Sequence, residues 1–181
     1  MKAVFPPLLL ILIILLQGCE DRYSPTRMND LKLHYHTAAE ARYIDISLEQ
    51  GRMDYTFLPD ADTRCAHSVR AGPCWNRENL QTLSRPLEQD ELEQLYQTVQ
   101  DSGILTLSQD AFGETDRHRR AYVTRLQVST GGRTRDLVYR SNPQAAARPP
   151  AFARLEQALL EQAQRLQTGN STAGQTPPRS R

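Results

Sequence analysis

The chain has 181 residues, and its 22 Lys and Arg residues against 21 Asp and Glu give a formal net charge of +1. Lys2 lies in a leading apolar segment, and without it the two counts are equal. A neutral chain has no overall field to attract nucleic acid, so we expect no nucleic-acid partner. The length beyond that segment, about 160 residues, suits one domain rather than several.

The first 18 residues have the layout of a secretory signal. Lys2 precedes an unbroken apolar run from Leu8 to Leu16, and the small residue Gly18 stands before a cysteine. The run is shorter than the roughly 20 apolar residues that a membrane-spanning helix needs. A plain signal peptide, or an uncleaved membrane anchor, with a cysteine there by chance is the alternative to the lipid attachment described next.

The segment Leu16-Gln17-Gly18-Cys19 resembles the lipobox of bacterial lipoproteins, although Gln17 stands where Ala, Ser or Thr is usual. The resemblance implies that residues 1–18 are removed and that Cys19 is acylated, with diacylglycerol and often with a further chain such as palmitate. Two or more acyl chains hold a protein stably on a membrane. Glu20, rather than Asp, after the cysteine implies the periplasmic face of the outer membrane over the inner membrane.

We divide the remaining chain into a lipid-anchored tether (19–39), one domain (40–167) and a disordered tail (168–181). The tether is polar and looks irregular, and the tail is rich in Gly, Ser, Thr, Pro and Arg. His34 and His36 alternate as on one face of a strand. We interpret them as ordinary polar residues near the start of the fold rather than as a metal pair.

Cys65 and Cys74 are expected to form a disulfide, since an exported protein folds in an oxidising compartment. A metal site with His67 is the alternative, but the spacing matches no zinc signature. Trp75, the only Trp, follows the predicted loop. We expect it to pack over an edge of the core, with a role as a recognition anchor for a partner as the alternative.

Two stretches of alternating apolar residues predict β-hairpins with two-residue turns. The first turns at Gln50-Gly51, and the second turns at Gly131-Gly132. The expected facing pairs are Ile44 with Phe57, Ile46 with Tyr55, Leu48 with Met53, Leu126 with Leu137, and Thr124 with Tyr139. Between the hairpins we expect a short strand from Ile104 to Leu107 and a long polar loop from Gln109 to Arg120.

Two amphipathic stripes predict helices. The first helix is expected to begin after Glu88, with Glu91 in a capping box, and to end at Gly103. The second is expected to begin at Pro149-Pro150. The apolar stripes contain Leu92, Leu95, Tyr96 and Val99 in the first helix and Phe152, Leu155, Leu159, Ala163 and Leu166 in the second.

These elements predict an α+β fold in ββαββα order, with an antiparallel sheet of two hairpins and two helices packed on one face. The stretch 87–166 also resembles domains of unknown function found in exported bacterial proteins. The shared features are a helix with the spacing of Leu92 and Leu95, the residues Gly103-Ile104-Leu105 at the end of that helix, Asp116 before a pair of strands, and a last helix that begins with proline. Such families have no established activity that the resemblance could transfer to this chain.

The chain carries no motif of a common hydrolase, phosphate loop, dinucleotide fold or zinc protease, so we predict no catalytic residues, metal or cofactor. We expect a non-enzymatic binding or accessory domain for another envelope protein. Its candidate surface is Trp75 with Arg117, Arg119 and Arg120, to which Arg133 and Arg135 could add. The alternative is a small envelope hydrolase using Asp116 and His118, with Asp110 and Glu114 nearby. A binder of soluble ligands would need an apolar cavity.

Overall fold

The computed structural model describes residues 28–66 and 72–173. The predicted signal peptide, Cys19, the beginning of the tether, His67 and residues 174–181 lie outside the described residues. The strands are β1 (Lys32–Ala39), β2 (Arg42–Glu49), β3 (Arg52–Phe57), β4 (Gln81–Pro86), β5 (Ala111–Gly113), β6 (Tyr122–Thr130) and β7 (Arg133–Ser141). The helices are α1 (Ala61–Cys65), α2 (Gln89–Ser102) and α3 (Pro150–Ala173), and 3-10 turns lie at Arg77–Asn79 and Ile104–Thr106.

The seven described strands form one sheet in the order β4-β3-β2-β1-β6-β7-β5. All neighbouring strands are antiparallel except β5 and β7, which run parallel. The predicted α+β class with a mainly antiparallel sheet is therefore confirmed. The predicted ββαββα order with only two hairpins is wrong, because β1, β4 and β5 also belong to the sheet.

Both predicted hairpins are present in the predicted register. Strand β2 pairs with β3, and β6 pairs with β7, through every facing pair expected from the sequence. The central turn residues Gln50, Gly51, Gly131 and Gly132 all have positive φ angles. Positive φ at both central positions gives the turn the twist that two antiparallel strands require. Local sequence is therefore sufficient to fix these two registers.

The expectation of an irregular tether up to Ala39 is wrong for Lys32–Ala39, which forms β1 in the middle of the sheet. Leu33 and Tyr35 are buried on one side of this strand, with 2% and 0% of their surface exposed. Leu33 is the only large aliphatic residue of this strand, so the segment has the composition of a polar linker. Pairing with β2 and β6 on its two sides is what makes it a strand.

Three further segments differ from expectation. Strand β4 was not predicted, because it is a sheet edge with a single aliphatic residue, Leu83. Ile104–Thr106 forms a 3-10 turn instead of a strand, closed by the bond from the Thr106 amide to the Gly103 carbonyl at 3.0 Å. The predicted loop contains β5, whose Gly113 lies so close to the Arg140 carbonyl that a Cβ there would be 2.2 Å from its oxygen.

The buried faces of the two long helices match the predicted stripes. Every apolar residue expected on these stripes is buried, and the stripes pack with one face of the sheet into a single core. Gly103 ends α2 with a φ of 72°, a left-handed conformation that suits glycine. Helix α3 continues to Ala173, so the predicted disordered tail is wrong for residues 168–173.

The beginning of α2 is fixed by Glu91. Its carboxylate accepts the backbone amide of Glu88 at 3.0 Å and forms a two-bond ion pair with the Arg85 guanidinium at 2.6 and 2.7 Å. The Arg85 hydrogen bonds are the main reason why the pKa of Glu91 is lowered from its ordinary value of 4.5. The pair therefore ties edge strand β4 to the first turn of α2.

A buried polar cluster joins the sheet to α3. The Tyr35 hydroxyl donates to one oxygen of the Glu156 carboxylate at 2.6 Å, and the Arg148 guanidinium binds its other oxygen. Arg148 also lies 4.7 Å from the centre of the Tyr139 ring. Burial, together with the bond to Glu156, raises the pKa of Tyr35 far above its ordinary range. These contacts set the position of the first turns of α3 on β1 and β7.

Candidate functional site: the open face of the sheet

The side of the sheet opposite to the helix-covered core carries mostly polar side chains, and we call it the open face. It contains Lys32, His34, His36, Tyr43, Asp45, Ser47, Asp54, Thr56, Thr82, Ser84, Arg125, Gln127, Ser129, Thr134, Asp136 and Val138. All of these residues are exposed or half-buried. The alternation of strand side chains places them together, although they come from six strands.

Charges on the open face are largely paired with one another. The His34 imidazole meets both oxygens of Asp45 at 3.3 Å, and these side chains are 48% and 29% exposed. Lys32 binds Glu49 at 2.6 Å, and this hydrogen bond raises the pKa of the lysine. Asp54 lies 3.7 Å from Arg52 and accepts a hydrogen bond from Ser84. The surface is therefore polar with little net charge.

A shallow depression lies on this face where β1, β2 and β6 run side by side. Its volume is about 530 Å³, which lies within the roughly 300–1,000 Å³ of ordinary ligand pockets. His34, Asp45, Ser47 and Gln127 are among the residues that line it. These groups include both hydrogen-bond donors and acceptors, so the depression suits a polar side chain of a docked molecule.

Three aromatic rings stand at the other end of the open face. The rings of His36 and Tyr43 are 5.5 Å apart, and those of Tyr43 and Trp75 are 4.9 Å apart, both in edge-to-face geometry. We call these three residues the aromatic trio. Burial raises the pKa of Tyr43, and the carboxylate of Asp45 adds to the effect. All three rings are half-buried and so keep part of their surface at the face.

The predicted disulfide helps to place Trp75. Cys65 and Cys74 are bonded, with their Cα atoms 5.6 Å apart. The backbone amide of Cys74 donates to the Glu40 carbonyl at 2.9 Å, and the Trp75 indole N–H donates to the Ala39 carbonyl at 2.9 Å. Trp75 therefore packs against the end of β1 and against Tyr43, on the open face rather than over the core.

The predicted arginine surface is mostly engaged in internal pairs. Arg120 binds the Glu40 carboxylate and lies 5.9 Å from the Tyr122 ring, and Arg119 lies 3.7 Å from both Glu114 and Asp116. Arg117 makes no ion pair with any residue in the described ranges. Arg133 and Arg135 lie at the opposite end of β7 from this loop, so they do not join it. Of the three arginines in this loop, Arg117 alone is left without an ion pair among the described residues.

The hydrolase alternative rests on the acidic loop with Asp110, Glu114, Asp116 and His118. The carboxylates of this loop bind backbone amides and side chains of the loop and of neighbouring segments. Glu114 accepts the Asp116 amide at 2.8 Å and the Asn142 side chain at 2.5 Å, and these bonds, the first above all, lower its pKa. Asp116 accepts the backbone amide of His118 at 2.9 Å. Asp110 binds Arg135 at 2.9 Å. Each of these carboxylates therefore stabilises the conformation of the loop or its attachment to the rest of the chain.

The His34–Asp45 pair and the aromatic trio were missed as a site. His34 and Asp45 are 11 positions apart in the sequence. The segment that contains His34 is expected from its sequence to be a tether, so no strand partner is predicted for it. The alternation of His34 and His36 was the one available signal, since it placed both on one side of an extended segment. Only the pairing of β1 with β2 shows which residues they meet.

No model of a known protein family matches the chain, and no curated protein matches its sequence. Among the residues that the structure describes, no helix is both long and apolar enough to span a membrane. In the same residues, no group of three or more His, Cys, Asp or Glu side chains has the geometry to hold a metal ion.

Proposed function

We propose that this chain is a lipid-anchored protein of the bacterial envelope that acts as a binding or accessory domain for another envelope protein. It is held by Cys19 at the periplasmic face of the outer membrane, and it docks its partner on the open face. The docking surface is supported by one observation, namely that the half-buried aromatic trio lies beside a polar face whose charges are largely paired. The lipobox and Glu20 support the location.

The aromatic trio supports a protein partner. Trp and Tyr are enriched among the residues that dominate binding energy at protein interfaces, since they bury a large area at a small entropic cost. Tyr43 and Trp75 are fixed by their mutual contact and by the indole bond to Ala39. A partner therefore meets rings that are already positioned, and little conformational entropy is lost on binding.

The paired charges support recognition at short range. Lys32 and Arg52 each lie beside a carboxylate on the same face, and Asp45 is hydrogen-bonded to His34. Such a surface exerts little long-range attraction, so the association rate is expected to depend weakly on salt. Specificity then comes from hydrogen bonds in the depression and from the fit around the aromatic trio.

The experiment is photo-crosslinking in intact cells that produce the full chain. A photoreactive amino acid replaces Gln127 on the open face, and in a matched control it replaces Gln100, which is exposed on α2. We expect one envelope protein to be attached at position 127 and not at position 100. Trp75→Ala should reduce its yield by roughly tenfold, in line with the loss of a dominant interface residue.

Two results would contradict the proposal. One is the absence of any reproducible partner at position 127, and the other is the same set of proteins at both positions. A phenotype that disappears in the Asp116→Asn, His118→Asn double variant, while crosslinking at 127 persists, would instead favour the hydrolase alternative.

A further inference from the structure

One cation on the open face has no partner of opposite charge. Arg125 on β6 is exposed, and its guanidinium forms no ion pair or hydrogen bond with residues 28–66 or 72–173. Asp136 lies on the same face of the adjacent strand β7, but the two side chains are not paired. Lys32 and Arg52, at the other end of the face, each lie beside a carboxylate. The charge of Arg125 is therefore left for a docked molecule.

The register of the sheet places Arg125 beside the aromatic trio. Arg125 stands directly opposite His36 on β1 and opposite Val138 on β7. The His36 ring in turn contacts Tyr43, with ring centres 5.5 Å apart. Val123 precedes Arg125 by two positions, so it lies on the same side of β6, and it is 38% exposed. Apolar and aromatic groups thus surround this cation, and a partner that covers them also shields an ion pair at Arg125 from water.

A small side chain lies between the larger groups at this end of the face. Ala38 is half-buried and pairs with Tyr43 on β2. On its other side lies Val123, one position beyond the pair of Thr37 with Thr124. Because alanine carries only a methyl group, the surface is lower at Ala38 than at Tyr43 and Val123. An apolar side chain of a docked protein therefore fits between those two residues.

The free groups at this end of the face indicate which chemistry binds there. Arg140 stands opposite Val123, but its guanidinium already donates to the backbone carbonyls of Asp116 and Arg119 at 3.3 and 3.4 Å. Arg125 is left with all its donors free. A guanidinium binds one carboxylate through two parallel N–H···O bonds, which match it in both charge and geometry. A single ion pair at short range also agrees with the weak salt dependence expected of this face.

We propose that Arg125 binds the carboxylate of an Asp or Glu side chain of the partner protein, and that a neighbouring apolar side chain of the partner packs over Ala38. This inference rests on the proposed function and adds the chemistry of the docking segment, which is an acidic residue beside an apolar one. The apolar side chain contacts Tyr43, which Trp75 holds in place. The carboxylate accepts two hydrogen bonds from the Arg125 guanidinium.

The first test joins the two groups directly with a carbodiimide, which links an amine to a carboxylate in contact with it. Arg125→Lys supplies the amine, and Lys32, bound to Glu49, is the only other lysine after residue 18. In membranes from cells that produce the full chain, we expect mass spectrometry to find position 125 attached to an Asp or Glu of the envelope protein captured at position 127. Arg133→Lys, exposed at the far end of β7, is the matched control and should give no such product.

Charge reversal is the second test, with photo-crosslinking at position 127 in intact cells as the readout. Arg125→Glu should lower the yield by roughly tenfold, because it places two carboxylates together in the complex. Arg133→Glu, which reverses an exposed arginine away from the aromatic trio, should leave the yield unchanged. The Arg125 side chain bonds to no other described residue, so its replacement removes no internal bond.

The outcomes separate this inference from the proposed function. If crosslinking at position 127 persists but Arg125→Glu does not lower it, the ion pair is absent although a partner docks. An Arg125→Lys chain that gives no carbodiimide product would overturn the inference in the same way. So would attachment only to a C-terminal carboxylate or to a second copy of this chain. Loss of all crosslinking at position 127 in the unsubstituted chain would instead contradict the proposed function itself.

Discussion

At the scale of single residues, the polar groups buried between the sheet and α3 are the ones that depend most on their partners. Tyr35 is fully buried, and its hydroxyl has Glu156 as acceptor. Glu156 in turn is 7% exposed and is also bound by Arg148. A buried carboxylate is stable only when its oxygens are paired, so each bond in this cluster protects the others.

Replacing Tyr35 with Phe removes the hydroxyl and keeps the ring. We expect the free energy of unfolding to fall by about 1–2 kcal/mol, because one oxygen of Glu156 then lies buried without a donor. The measurement is urea unfolding followed by circular dichroism. Tyr43→Phe is the matched control on the open face, with an expected change within about 0.5 kcal/mol. Equal stabilities of the two variants would contradict the role of the cluster.

At the scale of elements, the junction of β4 and α2 rests on the Arg85–Glu91 pair. An edge strand has neighbours on one side only, and β4 has one aliphatic residue to bury. The ion pair with the first turn of α2 therefore supplies an attachment that the sheet itself does not. The two side chains are 30% and 12% exposed, so solvent weakens the pair only in part.

The lowered pKa of Glu91 predicts how stability changes with pH. The pKa of Glu91 in the folded state lies below its ordinary value of 4.5. The carboxylate therefore stabilises the folded state, and this contribution is fully present at pH values above 4.5. This stability is lost as the pH falls through the lowered folded-state value. Glu91→Gln should therefore cost about 1 kcal/mol near pH 7, and the difference from the unsubstituted chain should shrink toward about pH 3.

Urea midpoints at the two pH values measure this effect. Glu78→Gln, at an exposed carboxylate, is the control and should follow the unsubstituted chain at both. A constant difference between the Glu91→Gln variant and the unsubstituted chain across the range would show that the charge of Glu91 is not the cause.

At the scale of the whole molecule, the two sides of the sheet have separate roles. One side is covered by α2 and α3 and holds the core. The other side is the open face, which carries the polar side chains and the aromatic trio. Anchoring at Cys19 would confine the chain to one membrane surface, which raises its effective concentration for a partner on the same membrane.

The anchor itself is tested by Cys19→Ser in cells supplied with labelled palmitate. The unsubstituted chain is expected to carry label and to sediment with membranes, because two or more acyl chains hold a protein stably. Cys19→Ser should carry none. A Cys65→Ser, Cys74→Ser chain should still be labelled, since those thiols belong to the disulfide. Label on the Cys19→Ser chain would contradict the lipobox interpretation.

Much of the fold can be read from local patterns. The hairpin registers follow from alternation and from the turns at Gln50-Gly51 and Gly131-Gly132. The two long helices follow from their apolar stripes, and the disulfide from two cysteines nine positions apart. In each case, residues close in the chain contain the whole signal, because the interaction that decides the structure is itself local.

The rest depends on contacts between residues far apart in the chain. The polar segment Lys32–Ala39 becomes the central strand only because β2 and β6 pair with it, and β5 forms only beside β7. The same holds for the bond between Tyr35 and Glu156, 121 positions apart, and for the residues gathered on the open face. The sequence by itself thus determined the hairpins, the helices and the disulfide. The tertiary structure decided which polar residues meet, because that depends on strand order, which no local pattern encodes.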